Sequence, residues 1–304
     1  MPNFIDLNQI NPTELRKILD VAKALKAKKL DTKLEGKQLA MIFEKSSTRT
    51  RISFEVAINQ LGGNAVVMNK SDTQLGKGET VADTAKVLSR FVDIVMARVN
   101  SHKTLLELSQ NATIPVINAL SDFSHPCQIM ASVQAIEEHL GDVRGKKLAW
   151  FGDANNVLNS YIHGAVAFSY ELNITTPKDY NFCDQEIVKA KKLGAKITQF
   201  IDAKEAAKGA NVLIADTWFS MGDEAEKNPE LKQQKLAKLS PYKVTQELMD
   251  LASPNAIFTH CLPAYRGYEV EAEVIDGTKS IVFDEAENRL HAQKAVLLWC
   301  CDKI

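Results

Sequence analysis

Two arginines and three hydroxyl residues crowd the segment Ser47-Thr48-Arg49-Thr50-Arg51. An apolar run at 39–43 precedes it. Behind it, Phe54, Ala57, Ile58 and Leu61 recur at i, i+3, i+4 and i+7, the spacing of one helix face. The donors therefore stand where a buried strand turns into a helix. Free backbone N–H groups and the positive end of the helix dipole point into such a turn, which is suited to a phosphate or another compact anion. Arginine adds forked charged donors and the hydroxyls add neutral ones. An N-cap serine with two solvated arginines is the plainer reading, and the density of donors weighs against it. The turn contains no glycine and no Gly-x-x-x-x-Gly-Lys-Ser/Thr occurs in the chain, so it is not a nucleotide P-loop. A small phosphorylated molecule is the better match.

Other chemistry-bearing groups also follow apolar runs. Arg98 closes the apolar stretch at 94–97. His125-Pro126-Cys127-Gln128 follows a run at 116–120, with Pro126 at a helix start. Gly152-Asp153-Ala154-Asn155-Asn156, Asp216-Thr217-Trp218-Phe219-Ser220-Met221-Gly222 and His260-Cys261-Leu262-Pro263 follow three more. Each has a plain alternative: a surface ion pair for Arg98, a cap for His125, turn chemistry for Asn155-Asn156, a small buried hydrophobe for Cys261. A lone Gly152 is too little for a dinucleotide fingerprint. Zinc is not expected, because neighbouring His260 and Cys261 should face apart and no further ligand follows at suitable spacing.

The elements that must position these groups alternate. Strand-like runs at 39–43, 65–68, 94–99 and 116–120 interleave with helical patterns at 51–61, 80–91, 104–110 and 126–140. A second set has runs at 148–151, 197–201, 212–215, 257–259 and 281–283, with helices near 155–172, 184–193, 203–209 and 242–252. Asn11-Pro12 opens a first helix. Such alternation predicts an α/β chain of two doubly wound parallel-sheet domains joined by interdomain helices. The boundaries expected are 1–140 and 141–285, with the last helix, 286–304, packing back onto the first domain. Polar 223–240 reads as a surface insertion. In open α/β sheets, ligands sit beyond the carboxyl ends of strands, where all the groups above fall.

With 304 residues, 45% hydrophobic and 25% charged, the chain has the makeup of a soluble globular protein of two domains. A net charge of −1 gives no long-range attraction to nucleic acid or membrane, and no apolar run approaches a membrane span. Five cysteines without paired spacing, together with a start that lacks a secretory pattern, point to a reduced, cytoplasmic setting.

Taken together, Ser47-Thr48-Arg49-Thr50-Arg51, His125-Pro126-Cys127-Gln128 and His260-Cys261-Leu262-Pro263 resemble, in order and separation, the carbamoyltransferases, from Asn11 to the last helix. The Ser220-Met221-Gly222 loop and His260-Cys261-Leu262-Pro263 look like those of the ornithine branch of that family. The resemblance implies transfer of the carbamoyl group of carbamoyl phosphate to the side-chain amine of ornithine, giving citrulline and phosphate, in arginine biosynthesis. It implies no cofactor and no metal. It places the phosphate on Ser47, Thr48, Arg49 and Thr50, with Gln74 reaching in from a neighbouring subunit of a homotrimer. It places Arg98, His125 and Gln128 around the carbamoyl end, with Arg289 returning to the same site. Ornithine would be held by Asn156, Asp216, Ser220 and Met221, while Cys261 and Leu262 flank the reacting amine. Arg98, His125 and Cys261 are then the catalytic residues. A carboxylate beside the reacting amine favours its charged form, so Asp216 is expected to face the α-ammonium, leaving Cys261 and Leu262 near the side-chain amine. The family usually has His where Tyr265 stands, which puts only local packing in question.

Two alternatives compete. One is carbamoyl transfer to another amine, such as putrescine or an acylated ornithine. The other is a phosphate-metabolite binding protein without catalysis, which would have no need of His125 and Cys261 at the reacting end.

Overall fold

The computed structural model describes residues 1–71, 78–219, 225 and 228–304. Two compact units make up the chain: Met1–Gln134 with Glu287–Ile304, and Ala135–Ala286.

In the first unit, β1 (Gln38–Phe43), β2 (Asn64–Asn69), β3 (Ile94–Arg98) and β4 (Val116–Leu120) form one parallel sheet in the order β2-β1-β3-β4. β1 is buried along nearly its whole length, as a continuous apolar run in a sheet covered on both faces must be. β2 alternates between exposed and half-buried residues, as an edge strand does. The N-terminal segment extends the other edge: Asn118 N donates to Phe4 O at 2.8 Å and Phe4 N to Val116 O at 3.0 Å. The connecting helices are α1 (Pro12–Lys26), α2 (Thr48–Gln60), α3 (Val81–Phe91) and α4 (His102–Asn111). Asn11 caps α1 by accepting from Thr13 N at 2.8 Å, with Pro12 at the first position. The chain moves from β1 outward to β2, then back across to β3. The order of the strands reverses between β1 and β3, the switch point where an open sheet leaves a crevice for ligand.

The second unit repeats the plan with five parallel strands in the order β7-β6-β5-β8-β9: β5 (Lys147–Phe151), β6 (Glu171–Thr175), β7 (Ile197–Phe200), β8 (Val212–Ala215) and β9 (Ile257–His260). Here the switch point lies between β5 and β8. α5 (Pro126–Leu140) crosses from the first unit into the second, and α6 (Asn156–Phe168), α7 (Asp184–Lys192) and α8 (Ala203–Ala207) follow. The helix Val282–Cys300 carries the chain back to the first unit. There Trp299 packs edge-on against Phe4, with ring centroids 6.1 Å apart, and donates to Glu14 at 3.1 Å.

The fold class expected from the sequence is the one observed. Three local expectations are corrected. The pattern read as one helix at 155–172 ends at Phe168, where Ser169 turns left-handed (φ 58°), and β6 follows. Asn173 disguised that strand; it is buried, and its amide donates to Ala206 O at 2.9 Å. The run at 281–283 is not a strand: Ile281 N donates to Phe258 O, and Val282 already begins the last helix. Within 223–240, Pro229–Leu239 is a helix capped by Asn228, which accepts from Glu230 N and Leu231 N.

Candidate active site

In the first unit the switch-point crevice is lined by the start of α2 and the end of β3. Ser47 is the N-cap of α2, its hydroxyl oxygen accepting from Thr50 N at 3.3 Å. The plain capping reading of Ser47 is thus true as far as it goes, and its O–H remains able to donate. The first turn carries Arg49 and Arg51 and no acidic residue. Acidic side chains stabilise a helix start and basic ones do not, so this helix start favours an anionic ligand. Arg51 is half drawn off by Glu55 at 3.6 Å.

Thr50 is fully buried, and its hydroxyl oxygen accepts from two guanidinium groups: Arg98 Nη1 at 3.2 Å and Arg289 Nη2 at 2.9 Å. One of these arginines ends β3 and the other belongs to the returning helix. Two fixed cations therefore meet at the helix start. His125 is buried immediately before α5. Burial, followed by the charges of Arg289 and Arg98, pushes its pKa well below the ordinary value, so the ring is neutral and can donate one N–H without adding charge. Gln128 is buried one turn further along. The loop carrying His125 is fixed from below. Ser121 accepts from Ser124 N at 3.2 Å, and Asn118 donates to Ser124 Oγ at 2.9 Å and to Ile5 O at 3.0 Å. His102 bonds Ser121 at 2.8 Å. Cys127 is buried, donates to Asn118 O at 3.4 Å, and has its thiol pushed up to about 12 by burial. It is a packing residue.

In the second unit the segments after β5, β8 and β9 converge. Gly152 has φ +113°, and a Cβ there would stand 2.7 Å from Trp218 Nε1. Its glycine is required by the approach of the indole, not by a dinucleotide. Asn155 caps α6 by accepting from Val157 N and Leu158 N. Its amide donates to Asp216 Oδ2 at 2.7 Å, and the Cys261 thiol donates to Asp216 Oδ1 at 2.9 Å. Asp216 is buried. His260, also buried, accepts from Leu262 N at 2.8 Å through Nδ1, and its Nε2 lies 3.3 Å from Glu269. That bond steadies Leu262 at φ +56°, an uncommon backbone state for a branched side chain of the kind that clusters at functional sites.

Asp216 and Cys261 are in contact, and one sequence expectation fails here. Asp216, His260 and Cys261 each bring one ligand-type atom within 4.8 Å of the others, so the neighbours His260 and Cys261 do not face away from each other. The His260 bond to Leu262 N turns its ring to the Cys261 side. Asn156 occupies the first position of α6, and it is Asn155 that reaches Asp216. Ser47, Thr48, Arg49 and Thr50 share one helical turn, and Arg98, Arg289 and His125 gather at it. Gln74, Ser220 and Met221 lie outside the described residues.

Residues 2–138 match the family described as aspartate/ornithine carbamoyltransferase, carbamoyl-P binding domain, and residues 144–300 its Asp/Orn binding domain. The chain is 52% identical to an ornithine carbamoyltransferase of Rhodopseudomonas palustris over 98% of this chain and 96% of that protein. It is 52% identical to one of Brucella abortus, over 98% and 95%. The solved ornithine carbamoyltransferase of Pyrococcus furiosus superposes with a TM-score of 0.89 at 44% identity, covering 98% of this chain and 96% of that one. The anabolic enzyme of Campylobacter jejuni superposes with a TM-score of 0.91 at 39% identity, covering all of both chains.

Proposed function

Because this chain belongs to the aspartate/ornithine carbamoyltransferase family, we propose that it transfers the carbamoyl group of carbamoyl phosphate to the side-chain amine of L-ornithine. The products are L-citrulline and phosphate, in the biosynthetic direction. The observation that carries this reading is the meeting of Arg98 and Arg289 on Thr50 at the start of α2. That array of fixed cations and hydroxyls suits a dianionic phosphate with a carbonyl attached.

Ser47, Thr48, Arg49 and Thr50 take the phosphate. Arg98, neutral His125 and Thr50 donate to the carbonyl oxygen as it gains negative charge, and each such donor is worth roughly 2.7–4 kcal/mol of barrier. Gln128 faces the carbamoyl end, and Arg289 steadies the group. Asp216, Asn156, Ser220 and Met221 hold ornithine, and Cys261 orients its side-chain amine. The amine lone pair forms the C–N bond, the bond from carbon to the phosphate oxygen breaks with its electron pair leaving on phosphate, and the proton the amine sheds ends on the departing phosphate. Carbamoyl phosphate is already activated, so the protein's task is to position two substrates.

The assembly that fits this reading is a homotrimer in which Gln74 completes a neighbour's phosphate site, in the cytoplasm. Mixing inactive Arg49→Ala and Gln74→Ala chains restores activity if sites are shared and leaves none if they are not. No described helix is long and apolar enough to cross a membrane.

An amine panel tests the substrate. With carbamoyl phosphate present, ornithine should yield citrulline at a kcat/KM at least about 100-fold above putrescine, N-acetylornithine or aspartate. A higher value for any of these reassigns the substrate, and binding without any carbamoylated product makes the protein a binding module.

A further inference from the structure

Tyr265 lies in the segment after β9, and its surroundings tie that segment to others. Its ring stacks on Tyr268, centroids 5.9 Å apart and planes at 26°. Tyr268 meets Phe219 edge-on at 5.9 Å. The face of Phe219 takes two ammonium groups, Lys232 Nζ at 5.5 Å and Lys235 Nζ at 5.6 Å, and Lys232 also lies 5.6 Å from Tyr268. These distances are within the roughly 6 Å at which a cation is held by a ring's quadrupole. Lys232 and Lys235 are one turn apart on the helix Pro229–Leu239, where like charges repel. The shared aromatic face offsets that repulsion, and so does Asp153, whose carboxylate lies 3.1 Å from Lys235 with both side chains mostly covered.

The segments joined in this way are those that carry the amino-acid half of the site. Phe219 directly precedes Ser220 and Met221. Tyr265 and Tyr268 lie four and seven residues past Cys261. Asp153 stands two residues before Asn155, which holds Asp216. Buried Trp218 and Phe219 cluster with Leu239 of the same helix, and Tyr180, Leu236 and Tyr268 pack on them.

We propose that the aromatic run Phe219, Tyr268 and Tyr265, clamped by Lys232 and Lys235, is a positioning device that sets the spacing of the ornithine loops and hence the affinity for the amino acid. It rests on the function proposed above. The phosphate half of the site is built by the other unit and does not depend on it.

The test compares the double variant Lys232→Met/Lys235→Met, Tyr268→Leu and Tyr268→Phe with the unaltered chain, reading both Michaelis constants, kcat and the unfolding temperature. The double variant and Tyr268→Leu should each raise the ornithine KM by about 5- to 20-fold while leaving the carbamoyl phosphate KM within about 2-fold. Tyr268→Phe keeps the ring and should stay within about 2-fold on all constants. An unchanged ornithine KM in the double variant and in Tyr268→Leu overturns the inference, as does an equal rise in both Michaelis constants. If the unaltered chain forms no citrulline from ornithine, it is the proposed function that fails. Citrulline formation with unmoved ornithine constants sinks the positioning device alone.

Discussion

Cys261 donates its thiol hydrogen to Oδ1 of Asp216 across 2.9 Å, while Asn155 occupies Oδ2 of the same carboxylate at 2.7 Å. The cap of α6 and the end of β9 thus fix one acid from two sides. An amine that met this carboxylate would find a hydrogen-bond acceptor. Because a carboxylate so placed also favours the charged amine, orientation of the amine is gained against some cost in its deprotonation.

Replacing either partner should be felt in the amino acid alone. A hydrogen bond to a charged group is worth roughly 1.5–3 kcal/mol. Asp216→Asn and Asn155→Ala should therefore lower kcat/KM for ornithine by about 10- to 150-fold. Steady-state kinetics with each substrate varied in turn read this. A loss of the same size in the carbamoyl phosphate KM would contradict the placement of Asp216.

The pH profile should belong to the amine. A lysine-like amine has a free pKa near 10.4, so the neutral fraction grows about tenfold per pH unit through the neutral range. Turnover at subsaturating ornithine should climb from pH 6 towards pH 8. His125 should add no step there, since burial beside Arg289 and Arg98 holds its pKa well below the ordinary value. A flat profile across that range rules this out.

The same buried ring has a stability consequence. Below about pH 6.5 the unfolded chain takes up a proton on this histidine that the folded chain refuses. More protons bound in the unfolded state mean that stability falls as pH drops below that value and levels off above it. His125→Gln should make the slope of stability against pH in that window shallower. Denaturant titrations at several pH values give both slopes, and equal slopes would show that the ring titrates normally in the folded protein.

Gly152→Ala probes the approach of Trp218. The added methyl would lie 2.7 Å from the indole nitrogen at a backbone angle of φ +113°. Overpacking of that kind costs about 1–3 kcal/mol. The unfolding temperature should fall by several degrees, with the ornithine KM rising as the Trp218 segment shifts. A fully stable Gly152→Ala chain would mean that the indole moves aside freely.

What the chain's order of residues reveals, and what it hides, follows from the range of the interactions. The run ending at Phe43 and the helical spacing from Phe54 are local signals, and β1, the turn and α2 stand where they were expected. Asn173 hid β6, because a buried polar residue in a strand shows its partner, Ala206 O, only in three dimensions. The helix at Pro229 was legible in principle: Asn228-Pro229 is the same opening as Asn11-Pro12, but the charged residues around it obscured the signal. Arg289 reaches Thr50 from 239 positions away and Cys261 reaches Asp216 from 45. No periodicity carries such pairs. The resemblance to a family brought these residues to notice, and the contacts between them came only with the fold.

The account divides the substrates between two sets of residues: the phosphate with the start of α2, the amino acid with Asp216. Calorimetric titration of carbamoyl phosphate into the unaltered chain, Arg49→Ala and Asp216→Asn tests that division most directly. The account predicts that Arg49→Ala weakens binding at least about 10-fold, as expected when a charged donor is lost, while Asp216→Asn binds within about 2-fold of the unaltered chain. Unchanged affinity in Arg49→Ala, or lost affinity in Asp216→Asn, would contradict it.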